Sequence, residues 1–455
     1  MSRKDLIIKN VEAHRQEIFD AERWLWKHPQ VGFTEWEANE YLIEKFEALG
    51  YKLVRADGRG YGKIPGFYTD IETGKPGPCL CIMGELDALD IANHPDAVNG
   101  MAHACGHNAQ GAAMLGIAAA LKEPGALEGL CGTIRLMLVP AEETIQIAFR
   151  EELVKKGVIS YMGGKVEFMH RGYFDGVDLA LMVHTDINAD YDFTCDFGNI
   201  GFIAKTATYK GKSSHAGSDP HRGINAQYAA MLGLQACNDL RETMQDKDIV
   251  RFHPIMKGAN CAVNIIPDEM VIESFLRAKT IDAMVRENKK INRALAGGAL
   301  AMGVEVKLCD RPGSLPEVHD LEFMQLVEKC CQDLSGADKV CFSYDNLDTG
   351  SSDFGDVTAV MPGVQFYASG AAGTYHGTDY QIINVDQACM NSAKAQLLVA
   401  DALLGDDAAA AKKIIDGYRP AFSSIKEYFS FIDTLALDKD AVQYDEGGNA
   451  TVNII

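Results

Sequence analysis

The segment His103-Ala104-Cys105-Gly106-His107-Asn108 holds the densest set of reactive side chains in the sequence. A thiolate and an imidazole both bind divalent transition metals. A glycine between them lets the backbone turn tightly enough for both to face one ion. Read alone, the triplet fits either a metal site or a buried cysteine beside two helix-capping histidines.

Glu142 and Glu143 form a second piece. Adjacent carboxylates at a strand end point in different directions, so one can bind metal while the other stays free as a base; a solvated acidic pair is the other reading. His184 follows an apolar run, where a lone histidine also fits a satisfied core position. His376 lies in a glycine-rich segment, residues 370–379, where it also fits a surface loop. Together these groups suffice for two metal ions sharing a ligand, with a spare carboxylate as base. Such a pair can polarise an amide carbonyl and lower the pKa of a bridging water.

The elements that must position these groups alternate in type. Residues 9–27 and 34–49 carry apolar positions at helical spacing. Leu80–Met83, Thr133–Val139 and Leu179–Val183 read as buried strands, and Gly106–Lys122 as a buried helix. This is an α/β pattern with a mostly parallel sheet. Glu85, Asp87, Glu142, Glu143 and His184 each follow an apolar strand, and ligands of open α/β sheets bind at the carboxyl ends of the strands. From residue 200 the pattern changes. Strands at 202–210, 256–264, 269–279 and 304–309, with helices at 224–244 and 281–302, follow the order of a ferredoxin-like α+β unit. The domain expectation is a discontinuous metal-binding domain of residues 1–200 and 312–455, with residues 201–311 inserted. Residues 408–413 suggest a helix, and no chemistry is assigned beyond residue 404.

Composition narrows the classes. With 64 acidic and 43 basic residues the net charge is −21, which argues against a general nucleic-acid or anionic-membrane binder. Residues 1–16 are charged and show no export signal, and no apolar run is long enough to span a bilayer. The twelve cysteines are scattered without a C-x-x-C motif, so reduced thiols and a cytoplasmic location are expected.

Several segments, in order, carry a family pattern: HPQVGFTEWEANEYLIEKFEALGY (28–51), GELDAL (84–89), HACGHNAQGAAMLG (103–116), PAEE (140–143), MVH (182–184), KGKSSHAGSDPHRGINA (210–226), NIIPDEMVIESFLRAKT (264–280), SSDFGDV (351–357) and the loop with His376. On these the chain resembles the amidohydrolase branch of the aminoacylase/carboxypeptidase-G metallopeptidases, which includes hippurate, auxin-conjugate and aminobenzoyl-glutamate hydrolases. The resemblance implies that Cys105, His107, Glu143, His184 and His376 hold two divalent ions, zinc or manganese, with Cys105 bridging. It implies Glu142 as general base, Asp87 as the carboxylate orienting a ligating histidine, and His215 as support for the oxyanion. Asn264 and Arg277 would hold the substrate, Arg277 by clasping its carboxylate. The inserted domain would serve as lid and homodimer interface, hinged near residues 200 and 312.

Two departures stand out. Position 108 is Asn where many hippurate-type members have Asp, and the later segment reads SSDFGDV rather than G-S-E-D-F. Both look more like the aminobenzoyl-glutamate hydrolases and their dipeptidase-like relatives. The expected activity is cleavage of N-acyl or N-aroyl amino acids by metal-activated water. The alternatives are a dipeptidase of the same fold or a catalytically silent binding protein.

Overall fold

A computed structural model describes residues 2–56, 61–258 and 261–454. The chain divides into two compact units, the first comprising Met1–Gly198, Glu317–Asp348 and Ser352–Ile425, and the second Asn199–Pro316, Thr349–Ser351 and the chain from Lys426 on.

The first unit is built on an eight-stranded sheet. Its order is Val54–Arg55, Phe67–Glu72, Thr133–Val139, Cys79–Glu85, Leu179–Asp186, Gly363–Ser369, Phe193–Cys195 and Val340–Phe342. The four middle strands, from Thr133–Val139 to Gly363–Ser369, run parallel. Cys79–Glu85 is buried along its whole length, as a strand covered on both faces must be. The helix His107–Ala120 is buried at every position, which explains its composition of Ala, Gly, Leu and Met. These elements match the α/β expectation.

Local differences have local causes. The expected helix over 9–27 is two helices, Arg3–Ala13 and Arg15–Trp26. They meet at His14, whose φ of −107° and ψ of 16° break the helical path. His184 lies within the strand Leu179–Asp186, opposite Tyr367, rather than after it.

The second unit is a six-stranded antiparallel sheet in the order Arg251–Gly258, Glu269–Ala278, Gly201–Lys210, Glu305–Ser314, Leu437–Tyr444 and Ala450–Val452. The helices Ala226–Asp239 and Ile281–Met302 pack on each other and on this sheet. They approach so closely that a Cβ on Gly298 would lie 2.4 Å from the backbone nitrogen of Gly233. The first four strands keep the ferredoxin-like order. The strand expected at 256–264 is Arg251–Gly258 instead, and residues 259 and 260 lie outside those described. Pro254 is tolerated there because this strand sits at the sheet edge.

The tail differs most from expectation. Ala409–Gly417 is helical, near the expected position. Sequence grouping placed residues 312–455 with the metal-binding domain, yet Leu437–Tyr444 extends the second unit's sheet beside Glu305–Ser314. The driving contact is burial of Ala441 and Val442 in that unit's core with Val306 and Leu308.

Candidate metal centre

The parallel strands bring three chain segments to one sheet edge. Cys79–Glu85 and Thr133–Val139 end level, with Glu85 opposite Val139. The first continues to Asp87, the second to Glu142 and Glu143, and the neighbouring strand presents His184. Between them enters Cys105-Gly106-His107. Gly106 has φ +87°, and a Cβ there would lie 2.0 Å from Thr185 Oγ1. Only glycine fits, so the tight turn expected between thiol and imidazole is present.

Each imidazole is oriented by its Nδ1. His107 Nδ1 lies 2.9 Å from the Asp87 carbonyl and 3.1 Å from Asp87 Oδ1. His184 Nδ1 lies 2.9 Å from the Thr185 carbonyl. Both partners are acceptors, so both Nδ1 atoms carry the proton and both Nε2 atoms keep a free lone pair. His184 Nε2 is 3.4 Å from Cys105 Sγ. His107 Nε2 is buried without a hydrogen-bond partner, which fits an atom placed to take a cation. Asp87 also accepts the Glu143 backbone N–H at Oδ2, 2.9 Å away.

His376 is not a loose loop residue. Its N–H donates to the Ala104 carbonyl at 2.9 Å, and Tyr375 beside it donates to the Thr185 carbonyl at 2.6 Å. His376 Nε2 then sits 3.0 Å from Glu143 Oε1.

The resulting groups overlap. Cys105, His107 and His184 offer donor atoms within 4.8 Å of one another, as do Cys105, Glu143 and His376, and also His107, Glu142 and Glu143. Cys105 belongs to the first two. One sulfur, two or three imidazoles and a carboxylate suit zinc or manganese, and the donors alone do not choose between them.

The electrostatics of the site are strained. Burial, with the Glu143 charge, pushes the Cys105 thiol well above its usual range. Burial also raises the Glu142 carboxyl well above the usual carboxylate range, and Glu85 and Glu143 add to it. His107 is burdened by burial, yet the Glu85 and Cys105 charges outweigh it and raise its pKa. Glu85, Glu142 and Asp353 crowd together, and the buried Lys165 ammonium donates to Glu85 and Asp353. Sequence reasoning missed Lys165, because nothing in Gly163-Gly164-Lys165 marks a buried cation.

All seven expected residues of the first unit are therefore assembled: Asp87, Cys105, His107, Glu142, Glu143, His184 and His376. His215, Asn264 and Arg277 belong to the second unit. His215 Nδ1 accepts the Gly217 and Ser218 N–H groups at 3.1 and 3.0 Å, which leaves the proton on Nε2 as a donor. The Asn264 carbonyl accepts the N–H of Ala216 at 2.8 Å, so the two candidate segments adjoin. Arg277 Nε donates to His253 Nε2 at 3.1 Å and Nη1 to Ser351 Oγ at 2.6 Å. Its guanidinium lies 5.2 Å from the Phe202 ring centroid.

The profile of peptidase family M20/M25/M40 matches residues 81–400, a span that contains every one of these residues. The chain belongs to this family. Among its relatives is the Xaa-Arg dipeptidase of Homo sapiens, 28% identical over 357 residues, or 76% of this chain and 74% of the relative. One of the p-aminobenzoyl-glutamate hydrolase chains of Escherichia coli is 27% identical over 261 residues, or 54% of this chain and 55% of the relative. A dinuclear metal-binding peptidase of family M20 from Bacillus subtilis shares the fold, with TM-score 0.63 at 19% identity over 86% of this chain and 99% of that one. This M20/M25/M40 peptidase is thus a hydrolase of α/β fold with candidate ligand groups at its sheet edge. Among its described residues no helix is long and apolar enough to cross a membrane.

Proposed function

We propose that the chain is a dinuclear-metal amidohydrolase that cleaves the amide bond of N-acyl or N-aroyl amino acids. The observation that carries this reading is the membership of Cys105 in two ligand groups, with the carboxyl of Glu142 alongside. Cys105, His107 and His184 would hold one ion, and Cys105, Glu143 and His376 the other. Two divalent ions, when bound, supply Lewis acidity that polarises the amide carbonyl and acidifies a water. Glu142 takes a proton from the attacking water as the new C–O bond forms, and gives it to the departing nitrogen as the C–N bond breaks. Its raised pKa suits a group that must both accept and release a proton near neutral pH. His215, with Nε2–H as donor, is assigned to support the negative charge that develops on the carbonyl oxygen. Asn264 and Arg277 are assigned to the substrate, with the Arg277 fork suited to a free carboxylate.

The test is release of free amino acid from a panel of N-acyl and N-aroyl amino acids, led by the glutamates, with added manganese or zinc. Glu142→Ala should lower kcat by about 100-fold or more; unchanged turnover would exclude this mechanism. The second reading is a dipeptidase. It is favoured by the Xaa-Arg dipeptidase similarity, which covers more of the chain than the aminobenzoyl-glutamate hydrolase match does. Xaa-Arg dipeptides in the same panel separate the two.

Two further properties belong to the proposal. The edge strand Arg251–Gly258 exposes Ile255 at 56%, and the helix Ala226–Asp239 exposes Tyr228, Met231 and Leu232. A second copy of the chain would cover such a face, and light scattering at a dimer mass would support it. All twelve cysteines are free, in keeping with a reducing, cytoplasmic setting.

A further inference from the structure

The helix Ile147–Lys155 has a single buried residue, and that residue is Arg150. A surface helix ordinarily turns apolar side chains inward, so a guanidinium 1% exposed needs another reason. Its polar contacts supply one. Nη1 donates to the carbonyls of Ala141, at 3.2 Å, and Met162, and Nη2 donates to the carbonyl of Glu143. Among the described residues no carboxylate accepts from it. The planar fork is spent on backbone, over the ring of Phe33.

The backbone it holds is the turn that carries Glu142 and Glu143. Ala141 has φ +58°, a left-handed conformation that a residue with a Cβ keeps only when its surroundings impose it. They do so from both sides. The Ala141 N–H donates to buried Glu35 Oε1 at 2.8 Å. Its carbonyl accepts from Arg150 and from the Gly164 N–H at 3.2 Å. Gly32 leaves room for the clamp, because a Cβ there would lie 2.5 Å from Arg150 Nη2 and 2.9 Å from Ala141 Cα.

We propose that Arg150 is a positioning residue that locks the Pro140–Glu143 turn, so that Glu143 faces the metal pair while Glu142 is held as the free base. The proposal rests on the roles given above to those two glutamates. Arg150 touches no reacting atom; it acts through the carbonyls that flank them.

The test uses full-length Arg150→Met and Arg150→Lys. Far-UV circular dichroism checks folding. Cobalt(II) titration, followed by the thiolate-to-cobalt and d–d absorption bands, counts the ions and measures their affinity without reference to turnover. Arg150→Met should bind one of its two cobalt equivalents about 10- to 100-fold more weakly than the parent. On any panel substrate that the parent hydrolyses, kcat should fall by a similar factor with KM within about twofold. Arg150→Lys, which keeps the charge but not the fork, should lie between. A folded Arg150→Met with both cobalt affinities and kcat within about twofold of the parent would overturn the proposal. If Arg150→Met does not fold, Arg150→Lys decides by the same measurements: a weakened second equivalent supports the clamp, and unchanged affinities remove it. If the parent hydrolyses nothing in the panel, the functional reading fails while the cobalt affinities still judge Arg150.

Discussion

Asn108 Nδ2 donates to Glu22 Oε1 at 2.9 Å, and Glu22 is 1% exposed. Burial raises the Glu22 carboxyl, against the smaller opposing effects of Arg23 and Asn108. The departure from Asp at this position therefore has a structural cause: an acid there would set a second carboxylate against a buried one. Asn108→Asp should lower stability at pH 8 by about 2 kcal/mol. A carboxyl whose pKa is higher in the folded state binds its proton more tightly when folded, so stability falls as pH rises through that value. The gap between variant and parent should accordingly narrow as the pH is lowered from 8 towards 5, measured by urea denaturation.

Asp87 serves two candidate ligands at once, His107 through Nδ1 and Glu143 through its backbone N–H. Asp87→Ala leaves both without that carboxylate. Metal affinity should drop by about 10- to 100-fold, read by equilibrium dialysis against manganese. An affinity equal to that of the parent would show that the carboxylate does not set the geometry.

Cys105 is shared between two groups. Cys105→Ala should reduce bound metal from two ions per chain to one or fewer, by elemental analysis. Since burial keeps the metal-free thiol protonated, a cation must displace that proton. Affinity for metal should therefore weaken as pH falls, and calorimetry in buffers of different ionisation enthalpy should count about one more proton released by the parent than by the variant.

The strand Leu437–Tyr444 covers one side of Glu305–Ser314. Truncation after Leu435 would bare that side and expose the apolar surface now buried by Ala441 and Val442. Bare strand edges pair with other chains, so the truncated protein should run as heterogeneous large species in size-exclusion chromatography, where the parent elutes as one peak.

Much of this architecture could be read from residue order, for reasons visible in particular elements. Thr133–Val139 matched because an unbroken apolar run has few alternatives. Ile281–Met302 matched because Thr280 caps its start, accepting from the Ala283 N–H, and Gly303 ends it at φ +66°. The ligand groups were legible because Cys, His and Glu advertise their chemistry. Lys165 and Arg150 were not, because a buried cation is defined by its partners, and Asp353 stands 188 residues from Lys165. Leu437–Tyr444 gave little signal, since only Ala441 and Val442 along it are buried.

The second unit is threaded from three separate stretches of chain. On the ribosome, Glu305–Ser314 emerges well before Leu437–Tyr444, its lateral partner, has been translated. At ordinary elongation rates that interval lasts roughly ten seconds. Through it the nascent chain presents an unfinished template, so demand for chaperones should peak late in translation, when most of the polypeptide is already outside the exit tunnel.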